Sequence, residues 1–299
     1  MPKTLPELLA AAKRSVDARL PQLLAEGAGE ADPLDALPAA AREALVSEGK
    51  RVRPALVFLS GALFSAPEAR LLDPACAIEM VHAASLILDD LPSMDDATTR
   101  RGRPALHVTH GEAVAILAAV TLLSRAFGVL ADAALRAGAE RISGESALDA
   151  VSRLAEACGL AGLASGQALD LKTPPDAATF DRLETIHARK TGALFVASAE
   201  LGAILGGARQ RELAAVRSYA KNVGLAFQIV DDLLPPAVEK TGKQARRVEA
   251  PTFVRHVGED GARRLVHELT QHAVEALGPF GGKGEHLAEL ALLLRDRTS

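Results

Sequence analysis

Tryptophan is absent from this chain, tyrosine occurs once, and aromatic residues make up 3% of its 299 residues. β-Branched and aromatic runs, the usual material of strands, are correspondingly scarce. Alanine and leucine, both strong helix formers, dominate a composition that is 48% hydrophobic. This excludes a β-rich fold and predicts an all-α one. Cysteine occurs twice, at Cys76 and Cys158, each inside an apolar periodic segment. Two such residues build no disulfide framework and read as buried thiols, consistent with a reducing, cytoplasmic setting. No Cys/His set has zinc spacing. A basic excess is missing too: the net charge of −4 argues against a nucleic-acid partner. The N-terminus has Lys3 and Glu7 but no apolar segment leading to a small-residue cleavage site. The longest apolar stretch, around Ala113–Leu123, is too short to span a bilayer, so the expectation is a soluble protein without stable membrane insertion. Gly-rich phosphate loops of the Walker or Rossmann type are absent, as is a G-x-S-x-G elbow. No linker, repeat array or low-complexity segment divides the chain, which reads as one helical domain over 1–299.

What is present is helical periodicity, interrupted by charge in a few places. The spacing predicts helices over 4–26, 38–47, 55–64, 72–91, 112–136, 147–164, 210–234, 259–277 and 284–297. Pro92 restricts Leu91 and ends or bends the fourth of these. Two adjacent acids, Asp89 and Asp90, follow the apolar run Ala83–Leu88; Asp95, Asp96, Arg100, Arg101 and Arg103 come next. His82 lies seven residues before Asp89, on the same face two turns away. A second acid pair, Asp231 and Asp232, sits three and four residues after Gln228, so all three share a face.

Two basic segments accompany the acids. Gly49-Lys50-Arg51-Val52-Arg53-Pro54 places three cations in four residues at a helix start, where the helix dipole favours acids; this fits either an anionic ligand or a solvated loop. Lys190, inside an apolar helix, either snorkels to the surface or turns inward, and Gly192 beside it allows a kink. Two carboxylate pairs at the ends of apolar helices, facing across a bundle, are hard oxygen donors suited to Mg²⁺ or Mn²⁺. Mg²⁺ takes one or two carboxylates and completes its shell with water and phosphate oxygens. The residues alone therefore point to an all-helical, metal-dependent enzyme that handles a diphosphate next to an apolar interior.

Five ordered motifs spanning nearly the whole chain resemble those of the trans-polyprenyl diphosphate synthases, the family of farnesyl and geranylgeranyl diphosphate synthases. They are Gly49–Pro54; Asp89-Asp90-Leu91-Pro92-Ser93-Met94-Asp95 with Arg100-Arg101-Gly102; Gly166-Gln167 with Asp170-Leu171; Lys190-Thr191-Gly192; and Phe227-Gln228 with Asp231-Asp232. The resemblance implies a bundle of antiparallel helices around a central cavity, usually a homodimer. It implies Mg²⁺ held by Asp89, Asp95 and Asp231, with Asp90 and Asp232 as supporting residues of the same metal site. Its substrates would be isopentenyl diphosphate, on Lys50, Arg53, His82 and Arg101, and an allylic diphosphate, on Arg100, Lys190 and Lys243. Thr191 and Gln228 would face the allylic cation with oxygen dipoles. Product length would be set on the helix before Asp89: Ala84, five residues before it, leaves open a pocket that an aromatic closes in farnesyl-forming members, and Met80 and Val81 form the next floor. That implies geranylgeranyl diphosphate, with a farnesyl or longer product as the alternative.

The chain also departs from the family pattern. Pro235 stands where the second motif has its third acid, the loop after it is short, and Glu249-Ala250 replaces a region that carries a second lysine. Leu88 stands where a histidine often precedes the first acids, and Ala97-Thr98-Thr99 replaces a commonly acidic stretch. These departures keep two further readings open, a non-catalytic partner subunit and a prenyl diphosphate cyclase. Lys50, Arg53, His82 and Arg101 favour the elongating synthase, because a cyclase needs no isopentenyl diphosphate site.

Overall fold

The computed structural model describes residues 3–27, 32, 34–46, 49–135, 143–174, 177–234 and 252–297. Lys243, Pro235 and Glu249-Ala250 lie outside the described residues. The helices are α1 (Leu5–Glu26), α2 (Leu37–Val46), α3 (Val52–Ala62), α4 (Glu68–Asp89), α5 (Leu106–His110), α6 (Glu112–Ala134), α7 (Gly144–Cys158), α8 (Leu163–Lys172), α9 (Phe180–His187), α10 (Ala193–Gly206), α11 (Gln210–Leu233), α12 (Phe253–Ala276) and α13 (Glu285–Arg295). Between α4 and α5 lies a small hairpin, β1 (Thr99–Arg100) with β2 (Arg103–Pro104), antiparallel. The all-α expectation holds.

Two helices are buried on nearly every side and organise the rest. α4 buries Leu71 through Ala84 almost without a break, and α10 buries Leu194, Phe195 and Ala197–Leu205. Such helices belong at the centre of a bundle, flanked by amphipathic neighbours. α4 packs against α6 and α3, and α10 against α3, α11 and α7. α1 contributes a single apolar stripe of Leu5, Ala12, Val16, Leu20 and Leu23. α3 and α10 cross at backbone contact: a Cβ on Gly202 would lie 2.2 Å from the Val57 carbonyl oxygen.

Several boundaries differ from the expected ones for local reasons. The helix expected over 147–164 ends at Cys158, because Gly159 and Gly162 leave helical geometry before α8 begins. The helix expected from Ala55 begins at Val52, which draws Arg53 into its first turn. Gly192 sits in a π-helical turn, Ala188–Gly192, the local widening that the expected kink takes. α4 does stop at Asp89, ahead of Pro92. Cys76 is buried and Cys158 half-buried, both as free thiols.

By length and composition alone, Glu68–Asp89 and Glu112–Ala133 are each apolar enough to cross a membrane, a property that central helices of a helical bundle share. Arg125 follows the run around Ala113–Leu123; it donates to the Leu23 carbonyl oxygen of α1 and to Asp132 further along its own helix. Of the most apolar 18-residue stretch of each, 72% is buried in the first helix and 39% in the second, leaving Ile116, Leu117 and Val120 exposed.

Candidate active site

The end of α4 folds back on itself after Pro92. The Asp95 amide donates to the Asp89 carbonyl oxygen at 2.9 Å, and the Ala97 amide donates to that of Asp90 at 3.1 Å. This loop returns Asp95 to the helix end beside Asp89. The hairpin then turns through Arg101 and Gly102, both at positive φ, as a two-residue hairpin turn requires. That turn brings Arg100 back to the acids: its Nε donates to Asp90 Oδ2 at 2.9 Å and its Nη2 donates to Oδ1. Burial lowers the Arg100 pKa, but the Asp90 pair and the charges of Asp89 and Asp95 outweigh it and hold the group above its ordinary value. Asp90 is 4% exposed. Its position in the structure is thus on Arg100, and Asp89 and Asp95 stand nearer the rim.

The second acid pair divides in the same way. Asp232 Oδ1 accepts from Gln228 Nε2 at 3.2 Å and Oδ2 accepts from the Phe253 amide at 3.3 Å, so this carboxylate ties α11 to the start of α12. Asp231 faces outward, its side chain 44% exposed, and bonds to Arg297. In each pair the first acid is the more exposed of the two.

The π-helical turn carries the third component. Lys190 does not reach for solvent; its side chain is 14% exposed and Nζ donates to Asp170 Oδ2 at 2.5 Å. A Cβ on Gly166 would sit 2.3 Å from the Lys190 amide nitrogen, so glycine there lets α8 lie directly on the turn. Thr191 Oγ1 donates to Gln228 Oε1 at 2.9 Å. The Gly166–Asp170, Lys190–Gly192 and Gln228–Asp232 motifs therefore form one hydrogen-bonded unit.

The cations of the Gly49–Pro54 segment separate into two roles. Arg51, in left-handed backbone geometry and 5% exposed, bonds Asp17 at 2.7 Å, Glu79 at 2.5 Å and the Leu45 carbonyl at 2.8 Å. It is a structural hub, not an open anion contact. Arg53 approaches His82, with Nη1 3.3 Å from Nε2, and lies 4.8 Å over the Phe195 ring. Burial, opposed by Glu79 and Asp231 and reinforced by Arg101, brings the Arg53 pKa down to about 10. Burial also lowers Arg101, with Arg51 and Arg100 adding to the effect against the pull of Glu79 and Asp90. Lys50 is exposed. Arg101 Nη1 lies within 3.0 Å of where a Gly49 Cβ would be, so the hairpin and the Gly49–Pro54 segment meet. These like charges lie close together in a partly buried site, which favours a polyanion between them.

His82 belongs to the same cluster. Burial, then Arg53, Arg101, Arg51 and Arg100, hold its pKa well below the ordinary histidine value. It is neutral at neutral pH and accepts from Arg53 through Nε2, with its proton on Nδ1. The unfolded chain takes up a proton near the ordinary pKa and the folded one does not. Stability is therefore lost as pH falls below about 6.5, by up to about 1.4 kcal/mol per pH unit. His82→Gln is expected to flatten the urea-unfolding free energy between pH 6.5 and pH 5 relative to wild type. An identical slope in the variant would remove His82 from the account.

Among the described residues, no group of three or more His, Cys, Asp or Glu side chains is assembled to hold a metal. The donors instead come as carboxylates on two sides, each felt by its own cation: Arg53 feels the charge of Asp231, and Arg100 feels those of Asp89 and Asp95. Buried Arg53 Nε and Gln167 Oε1 have no hydrogen-bond partner among the described residues. Buried polar atoms are normally satisfied. Together these features fit a divalent ion that shares its shell with a phosphate ligand, and not a protein-only cage.

The residues expected to set chain length are sealed. Met80, Val81 and Ala84 each have no exposed surface and belong to the main core, whereas Ser85 and Leu88 are half-buried. The expected open space beside Ala84 is filled by packing against neighbouring helices.

An all-helical bundle with carboxylates at two helix ends and guanidinium groups around them defines a site for a polyanionic substrate. A polyprenyl synthetase family model matches residues 35–248. The chain is 40% identical over 249 residues to geranylgeranyl pyrophosphate synthase 9 of Arabidopsis thaliana, covering 81% of this chain and 68% of that protein. It is 41% identical over 236 residues to the farnesyl diphosphate synthase of Escherichia coli K12, covering 77% of each. Among solved structures, a geranyltransferase from Legionella pneumophila superposes with a TM-score of 0.84 at 31% identity, covering 98% of both chains. An FPP/GFPP synthase from Zymomonas mobilis gives 0.82 at 32% identity, covering 96% of this chain and 97% of that one. The chain belongs to the polyprenyl synthetase family. It is a prenyltransferase.

Proposed function

We propose that this prenyltransferase condenses isopentenyl diphosphate with an allylic diphosphate to give geranylgeranyl diphosphate. The observation that carries the reading is the linkage of four motifs: Gln167 of the Lys190–Asp170 unit bonds Met94 in the loop after the α4 acids, Arg53 feels the charge of Asp231 beside the Thr191–Gln228–Asp232 chain, and His82 feels Arg53, Arg101 and Arg100. Asp89, Asp95 and Asp231 are the residues that would hold Mg²⁺ or Mn²⁺. When bound, the metal supplies Lewis-acid charge that neutralises a departing diphosphate. Asp90 and Asp232 position Arg100 and Gln228. Arg100 and Lys190, with Lys243, hold the allylic diphosphate. Lys50, Arg53, His82 and Arg101 hold isopentenyl diphosphate.

The chemistry left to the chain is orientation and electrostatic support. The allylic carbon–oxygen bond breaks, and the electron pair leaves with the diphosphate. The Thr191 hydroxyl donates to Gln228, so its lone pairs are turned toward the allylic cation. The double bond of isopentenyl diphosphate then forms the new carbon–carbon bond. A proton is lost to the released pyrophosphate.

Small side chains before Asp89, Ala84 and Ser85, support a product longer than farnesyl. Growth past Ala84 requires the helices around it to part, because it is sealed in the core. The exposed apolar stripe of Ile116, Leu117 and Val120 on α6 supports a homodimer, since a second copy would cover it. The protein would act as a soluble cytoplasmic enzyme.

The test is one incubation series: isopentenyl diphosphate with dimethylallyl, geranyl or farnesyl diphosphate, in Mg²⁺ or EDTA, with products dephosphorylated and sized. The expected result is a Mg²⁺-dependent geranylgeranyl product. No product from any primer contradicts the synthase reading and favours a partner subunit. A dominant farnesyl product contradicts the chain-length argument. Ala84→Phe and Ser85→Phe are expected to shorten the product; an unchanged distribution places the floor elsewhere.

A further inference from the structure

The last described residue, Arg297, reaches back from the end of α13 to the second acid pair. Its Nη2 donates to the Phe227 carbonyl oxygen at 2.9 Å and to Asp231 Oδ1. Its guanidinium carbon lies 3.8 Å from the Phe227 ring centroid, and the side chain is 13% exposed. Phe227 in turn packs on Phe195, with ring centroids 5.1 Å apart, and Arg53 lies over the Phe195 ring. The result is a ladder of cation, ring, ring and cation that joins the chain's end to the Gly49–Pro54 segment. One rung is incomplete: Arg297 Nε is buried and lacks a hydrogen-bond partner among the described residues. An unsatisfied buried donor is unfavourable, so this arrangement does not reflect optimal packing for its own sake.

We propose that Arg297 is a placeholder cation for the metal side of Asp231. This rests on the reading of Asp231 as a metal-binding carboxylate. Arg297 takes one of the two Asp231 carboxylate oxygens, and its positive charge competes with a divalent ion for the same carboxylate. In the metal-free enzyme the guanidinium balances Asp231 and fixes the C-terminal segment across α11. Metal arriving with a diphosphate displaces it and releases the segment. Arg297 is a positioning residue, acting on the reaction through Asp231. It competes with metal in the free enzyme, and loading of the second side is thereby coupled to arrival of the anionic substrate.

The test is Mn²⁺ titration of the free full-length enzyme, with unbound Mn²⁺ read by electron paramagnetic resonance. Wild type is compared with Arg297→Gln, Arg297→Lys and Arg295→Gln. The last removes the same charge two residues earlier, from a side chain paired with Asp296. Arg297→Gln is expected to bind Mn²⁺ about three- to tenfold more tightly, the scale of one partly exposed ion pair with its ring contact. Arg297→Lys and Arg295→Gln are expected to stay near wild type, and the gain is expected to vanish in an Asp231→Asn background. Equal or weaker binding in Arg297→Gln overturns the placeholder, as does an equal gain in Arg295→Gln or a gain that survives Asp231→Asn. Absence of Mn²⁺ binding in every form also overturns it. That outcome leaves the metal assignment of the proposed function to be decided separately, by metal binding together with a diphosphate analogue. Matched thermal unfolding of wild type and Arg297→Lys shows that the fold is intact.

Discussion

Asp89→Asn is expected to lower kcat/KM by about 10²–10³-fold, the scale of losing one group that stabilises charge developing in the transition state. The expectation follows from where the side chain stands. Asp89 closes α4 at the rim, with Asp95 folded back beside it and the Asp90–Arg100 pair behind it. The substitution removes one negative charge from a crowded set of acids, so thermal stability is expected to hold or rise slightly. Asp90→Asn should behave differently. It takes away the partner of Arg100 and leaves that guanidinium misplaced, so the loss should appear largely in KM for the allylic substrate. Steady-state kinetics with the two substrates varied in turn separates these outcomes. Equal kinetic defects in Asp89→Asn and Asp90→Asn would contradict the division of labour within the pair.

Arg51→Ala is expected to destabilise the fold by about 3–5 kcal/mol, because it strands Glu79 as a buried charge without its partner. Glu79 is 3% exposed and Arg51 is its closest cation, at 2.5 Å. In a chain whose total stability is on the order of 5–15 kcal/mol, this is a large fraction, visible as a drop in Tm of roughly 10 °C. Arg51→Met combined with Glu79→Leu should recover most of the loss, since neither then needs solvation. Thermal unfolding of the single and double variants checks this. A single variant as stable as wild type would return Arg51 to the set of open anion contacts.

The contrast between Arg51 and Arg53 shows what the sequence discloses. Three cations in four residues point to an anion site or a solvated loop, and the pattern is legible because a helix start disfavours them. Which of the three faces the ligand depends on α1 and α4, distant in sequence, which supply Asp17 and Glu79. The same limit applies to the acid pairs. Helical spacing places Gln228, Asp231 and Asp232 on one face, but the split between a rim acid and an engaged one depends on Phe253 and on the Arg100 hairpin. That hairpin has two-residue strands, too short for any alternation to show. Gly192 beside Lys190 predicts a local distortion, and the π-helical turn is its form. The contact of Arg297 with Asp231 has no local signal, because it exists only after α13 returns to α11. Ala84 is small, as the pocket argument requires, yet its neighbours close over it; side-chain size alone does not reveal what packs against it.

The central claim is that the site grips a diphosphate only together with a divalent ion held by the carboxylates. Calorimetric titration of the wild-type enzyme with an unreactive allylic thio-diphosphate tests it most directly, in Mg²⁺ and in EDTA, with Asp89→Asn as the comparison. Tight binding in Mg²⁺, lost in EDTA and strongly weakened in Asp89→Asn, is the predicted result. Binding of equal strength with and without the metal would contradict it.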